Sequence, residues 1–115
     1  MPYYDRRPFR FQNLHFAQAL NQTAKASPGA GRAIVVTQVF VGSSRVATTT
    51  GFFVLKKGPL AADAILNVDW SAGNGEVQTF PAGLRLPENT ALVYDAYDAC
   101  SLVIEGYDVS EPEYA

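Results

Sequence analysis

Short runs of β-branched and aromatic residues, each closed by glycine, proline or asparagine at a spacing of about 8 to 12 residues, set the limits on how this chain folds. AIVVTQVFV, residues 33 to 41, ends at Gly42-Ser43-Ser44, and RVATTTGFFVLKKG, residues 45 to 58, stops at Gly58-Pro59, with Gly51 inside it marking a bulge or a close backbone approach. DAILNVDW, residues 63 to 70, alternates, with Ala64, Leu66, Val68 and Trp70 on one face and Asn67 and Asp69 on the other. SAGNG, residues 71 to 75, contains an Asn-Gly pair suited to a hairpin turn, with EVQTF as the return strand. PAGLRLPENT, residues 81 to 90, reads as a loop, and ALVYDAY and CSLVIEGYDV flank Asp98-Ala99 as a final hairpin. Six or seven such strands predict an all-β, single-domain antiparallel β-sandwich of jelly-roll-like type.

The first residues differ in character. Residues 1 to 12 hold two prolines, three arginines and four aromatics with no sustained period, which predicts an extended N-terminal arm ahead of a β-sandwich domain at 13–115. A disordered tail is usually poor in aromatics, so Tyr3, Tyr4, Phe9 and Phe11, with Arg6, Arg7 and Arg10, are the candidate partner-binding residues. Residues 13 to 26, NLHFAQALNQTAKA, fit a helical stripe or an interrupted strand. The breaker SPGAG that follows, and the β-rich sequence beyond it, favour the strand.

Several strands are apolar on both faces. With 115 residues the chain has room for one modest core, since folding buries roughly two-thirds of the extended-chain surface at this size. Yet strict alternation sets Val35, Val39 and Val41 against Ile34, Val36 and Phe40, and Leu102 and Ile104 against Val103, Tyr107 and Val109. A sandwich sheet needs one apolar face, so the second calls for a cover: the arm, long loops, or neighbouring copies in a closed homo-oligomer. Charged residues make up only 17% of the chain, below the usual quarter, as suits a partly covered surface.

The net charge of −2 conceals a split. Residues 1 to 62 carry eight Lys and Arg against Asp5 alone, whereas residues 63 to 115 carry Arg85 against ten acids. Such asymmetry is satisfied internally, by oppositely charged strands lying side by side, or externally, by a basic arm on an acidic neighbour.

Residues suited to catalysis are sparse. A single cysteine, Cys100, excludes an intrachain disulfide, and with a single histidine, His15, it leaves no Cys/His metal cluster, so both read as packing residues. There is no GxSxG, P-loop or paired His/Asp set. No segment approaches about 20 uninterrupted apolar residues, so neither a membrane nor a secretory route is expected. Three clustered arginines in an acidic chain do not make a nucleic-acid surface. Asp69, Asp95, Asp98 and Asp108 are the weak candidates for a calcium site, and Tyr94 and Tyr97 with Asp95 and Asp98 for a sugar-binding face. No catalytic residue, cofactor or metal is expected.

The SPGAG turn, TTTGFFVL, then FPAGLRLPENTALVYD and a closing IEGYDV together resemble small β-sandwich virion structural proteins of tailed bacteriophages, with a "GL-x-LP-x-x-TAL" loop and strand and a terminal "GY-[ED]-V" strand. The matching residues are Gly83, Leu84, Leu86, Pro87, Thr90, Ala91, Leu92 and Gly106 to Val109, within a similarity spanning about residues 27 to 109. The resemblance implies a non-enzymatic particle component: a capsid decoration or cement protein, made in the host cytoplasm and carried on the virion surface. It would assemble as homo-oligomers such as trimers and dock through its arm on the major capsid protein or other virion proteins. The alternatives are a tail or fibre component and a host-recognition module that binds carbohydrate.

Overall fold

The computed structural model describes residues 6–16, 19–43, 51–58, 60–70, 75–96 and 100–110. Eight strands run through them: β1 (Arg7–Phe16), β2 (Ala19–Lys25), β3 (Arg32–Ser43), β4 (Gly51–Lys56), β5 (Ala64–Trp70), β6 (Gly75–Arg85), β7 (Leu92–Ala96) and β8 (Cys100–Ser110). A single 3-10 turn at Ala61–Asp63 is the one helical element among the described residues. The strands form two four-stranded antiparallel sheets, ordered β1-β8-β3-β6 and β2-β7-β4-β5, consistent with the expected sandwich.

The pairing follows one rule. β1 pairs with β8, β2 with β7, β3 with β6 and β4 with β5, so the chain is one long antiparallel ribbon doubled back at β4–β5 and rolled until β3 also meets β8 and β4 also meets β7. Every link except β4–β5 therefore passes from one sheet to the other. This corrects both expected hairpins, because β5 and β6 lie in different sheets, as do β7 and β8. Turn residues mark where a chain reverses, but not which sheet receives it.

The ribbon also accounts for the charge split. Its outgoing arm is the basic half and its returning arm the acidic half, so pairing strand to strand sets opposite charges side by side: Arg10 on Glu105 at 3.6 Å, Arg7 and Arg32 on Asp108, and Lys56 on Asp95. Among the described residues these pairs satisfy part of the asymmetry within the subunit.

The apolar excess is smaller than strict alternation predicts, and the reason is Thr37. Val36 pairs with Gly106 and Gln38 with Glu105, leaving Thr37 as an extra residue, and its hydroxyl donates to the Glu105 carbonyl at 3.2 Å. A bulge shifts the phase of everything beyond it. Ile34, Val36, Val39 and Val41 consequently all enter one core with Phe53, Leu55, Leu92, Tyr94, Leu102 and Ile104, while Val35 and Phe40 face the other way and Phe40 is the exposed one.

Residues 7–12 form the first half of β1 and do not extend away as an arm; the 12/13 boundary falls inside that strand. Phe9, Phe11 and Asn13 alternate with Pro8, Arg10 and Gln12, and Phe9 and Phe11 pack against the core. Pro8 is compatible because β1 is an edge strand, where a missing N–H need not break a ladder. Residues 1–5 lie outside the described residues. Within the 13–26 segment, residues 13–16 belong to β1 and residues 19–25 to β2, strand as expected but divided between two elements.

Residues 81–85, expected to be loop, belong to β6. Thr79 pairs with Gln38 and Leu84 with Val36, so Phe80 to Gly83 bow outward opposite Thr37. Gly83 has φ 82°, and a Cβ there would collide with Val35 Cγ1. That close approach helps bury Val35 although it faces away from the core.

Candidate assembly surface

Two of the stretches that carried the resemblance, the SPGAG turn and the LPENT loop, meet in space. Asn89, itself at φ 51°, donates its backbone N–H to the Arg32 carbonyl at 2.7 Å, and its side chain accepts from Gly29 N–H at 3.0 Å. Glu88 accepts from Gly31 N–H at 2.6 Å, and Leu86, fully buried, donates its backbone N–H to the Ile34 carbonyl at 2.9 Å. The LPENT loop is thus fastened onto the SPGAG turn, with Leu86 plugging that end of the core. Gly106 in the closing strand is equally constrained, since a Cβ there would run into the Val35 carbonyl oxygen.

Asp108 is the electrostatic centre of this end. Its carboxylate, 3% exposed, receives Arg32 Nε at 2.6 Å, Arg7 Nε at 2.9 Å and Lys25 Nζ at 3.4 Å. These cations come from β3, β1 and β2, so one acid ties the two sheets together. Burial pushes the carboxyl pKa up, but hydrogen bonds from Arg32, Arg7 and Lys25 outweigh it and hold the group below its ordinary value.

The expected partner-binding residues divide. Phe9 and Phe11 are turned inward: the Phe11 ring lies 5.6 Å from Tyr94, and Lys25 Nζ lies 5.6 Å from the Phe9 ring. Arg7 is committed to Asp108. Arg6 stacks over Tyr107 at 4.5 Å and Arg10 pairs with Glu105, both on the outer face of the first sheet. Tyr3 and Tyr4 lie outside the described residues.

That outer face is the candidate site. In the register, Phe40 pairs with Val77 on β6 and Val103 on β8. Phe40 is 37% exposed and Val77 52% exposed, against half-buried Val103. Arg10, Gln38 and Glu105 border a shallow depression floored by Phe40 and Val103. The patch has an apolar centre and a polar rim, the anatomy of a protein interface. No sequence pattern marks it in advance, because it exists only after the Thr37 bulge has sent Val39 and Val41 inward and Phe40 outward.

Edge pairing is discouraged on all four sides. Pro8 in β1 and Pro81 in β6 interrupt the edges of the first sheet, and register shifts interrupt β2 and β5 at the edges of the second. Such devices block strand-to-strand addition and leave faces as the route to association.

The other candidates do not come together. Asp95 and Asp108 lie in different sheets, the first held by Lys56 and the second by Arg7, Lys25 and Arg32. Asp98 lies outside the described residues, and among those described no three His, Cys, Asp or Glu side chains converge on a point that could hold a metal. Tyr94 is a core residue between Phe11 and Phe53, its hydroxyl accepting from Asn13 at 3.3 Å, so it cannot stack on a sugar; Tyr97 lies outside the described residues. His15 and Cys100 occupy strand positions in β1 and β8. No protein-family model matches the chain, and no curated protein matches it.

Proposed function

We propose that the chain is a jelly-roll structural subunit of a tailed-bacteriophage particle, a decoration or cement protein of the head that assembles with copies of itself on the particle surface. The observation that carries this reading is the rolled ribbon, eight strands in two sheets with β1–β8, β2–β7, β3–β6 and β4–β5 as its rungs. That architecture recurs in viral capsid and lectin domains. The sugar-binding alternative loses Tyr94 to the core, while the apolar patch at Phe40, Val77 and Val103 suits a protein partner.

The docking role first assigned to the whole arm is narrowed. Arg6 and Arg10, on the outer face of the first sheet, remain as partner contacts, with Tyr3 and Tyr4 ahead of them in sequence, whereas Phe9 and Phe11 serve the subunit's own core. Removing residues 1–12 would therefore take half of β1 with it, and surface substitutions are the cleaner perturbation. Wild-type protein is expected to stay with purified particles through a density gradient, and the Phe40→Asp, Val77→Asp double variant to be left behind while still folded. Absence of the wild-type chain from washed particles, or equal occupancy by the double variant, would refute the proposal.

A further inference from the structure

Across the outer face of the second sheet, three consecutive strands bring an amine, a carboxamide and a carboxylate into contact. Lys56 Nζ on β4 donates to Asn21 Oδ1 on β2 at 2.5 Å. The same nitrogen lies 2.8 Å from Asp95 Oδ2 on β7, the strand between them. The other carboxylate oxygen, Oδ1, accepts the Asn21 backbone N–H at 2.7 Å, so Asp95 is anchored to both partners.

We propose that Lys56 and Asn21 condense into a side-chain amide, an intramolecular isopeptide cross-link between β4 and β2 formed with Asp95 as the proton carrier. A hydrogen bond from the amine to the amide oxygen holds the nucleophile one bond from the carbon it attacks. Such pre-positioning replaces an improbable encounter by an effectively unimolecular step. The Lys56 side chain is only 3% exposed and Asp95 is buried as well, so bulk water is largely kept from the amine and the carboxylate. Asn21 is aimed by its backbone: φ is 53° within the register shift between Ala19–Ala96 and Gln22–Tyr94, a distortion that re-directs a side chain. A buried ion pair is by itself weak evidence of a stability role, which leaves the convergence on Asn21 in need of another explanation.

The step balances without a cofactor. Asp95 Oδ2 takes a proton from the Lys56 ammonium, and the free amine adds to Asn21 Cγ. The carboxyl returns that proton to Nδ2 and relays the second proton leaving Nζ; the Cγ–Nδ2 bond breaks and the nitrogen departs as ammonium. One C–N bond forms, one breaks, and nothing is oxidised or reduced. The product ties edge strand β2 to β4 across β7, independently of where the protein assembles.

The full chain, unfolded and weighed intact by mass spectrometry, is expected to fall below its sequence mass by one ammonia. A digest should yield a branched peptide joining Asn21 to Lys56. Lys56→Arg and Asp95→Asn should each restore the full mass. A wild-type chain at full sequence mass overturns the proposal whether or not the variants fold. So does an ammonia loss that maps to Asn74-Gly75, where backbone cyclisation gives the same mass change.

Discussion

Replacing Asp108 by Asn keeps the shape of the side chain and one acceptor but removes the charge that three cations share. The Arg32 side chain is 14% exposed and 2.6 Å away, so its charge-assisted bond carries most of the effect, about 1.5 to 3 kcal/mol. Arg7, 56% exposed, and Lys25, at 3.4 Å, are partly screened and add about 0 to 1 kcal/mol each. The expected loss near neutral pH is about 2 to 4 kcal/mol, or a fall of about 8 to 16 °C in Tm for a domain of this size. The pH dependence is the sharper signature. Because the folded-state pKa lies below the ordinary value, the unfolded chain binds this proton more readily than the folded one as pH falls. The stabilisation is fully present above the unfolded pKa of about 3.9 and is lost as pH drops through the lower folded value. Urea unfolding of wild type and Asp108→Asn, from about pH 7 to about pH 2, should show a gap that closes only at the acid end. A gap that stays constant over that range, or an unchanged midpoint at neutral pH, would show that Asp108 does not hold the sheets together electrostatically.

Two further substitutions test the geometry around the bulge. Gly106→Ala puts a methyl against the Val35 carbonyl oxygen, a backbone atom that cannot rotate away, and should cost about 3 kcal/mol in denaturant unfolding; a loss below about 1 kcal/mol would contradict the close approach. Deleting Thr37 removes the phase shift and forces two of the four inward β3 residues out, at about 1.5 to 3 kcal/mol each, so the deletion should abolish cooperative unfolding and near-ultraviolet circular dichroism. A deletion variant with the wild-type midpoint would refute the role given to the bulge.

The strand content of this fold was legible because β-branched runs and turn residues act locally: residues 33–41, 64–70 and 100–109 all fall in strands. The path between sheets was not, since Asn-Gly at 74–75 and Asp98-Ala99 report chain reversal with no reference to a partner strand. The first half of β1 was not legible because Pro8 and the clustered arginines obscure the alternation of Phe9 and Phe11 with Pro8, Arg10 and Gln12. The bulge at Thr37 leaves no signal in composition, yet it decides which β3 residues are core, and with them the outer patch. The motif residues Gly83, Leu86, Gly106 and Asp108 turned out to be fold determinants, fixing a close approach, a core plug, a second close approach and an ionic centre. Their pattern therefore speaks first of architecture.

The solution mass of the full chain at micromolar concentration, by sedimentation equilibrium, tests most directly whether the Phe40, Val77 and Val103 face assembles. The predicted result is a discrete multiple of 12.5 kDa that reverts to one copy in the Phe40→Asp, Val77→Asp variant. A wild-type monomer throughout the micromolar range would contradict it.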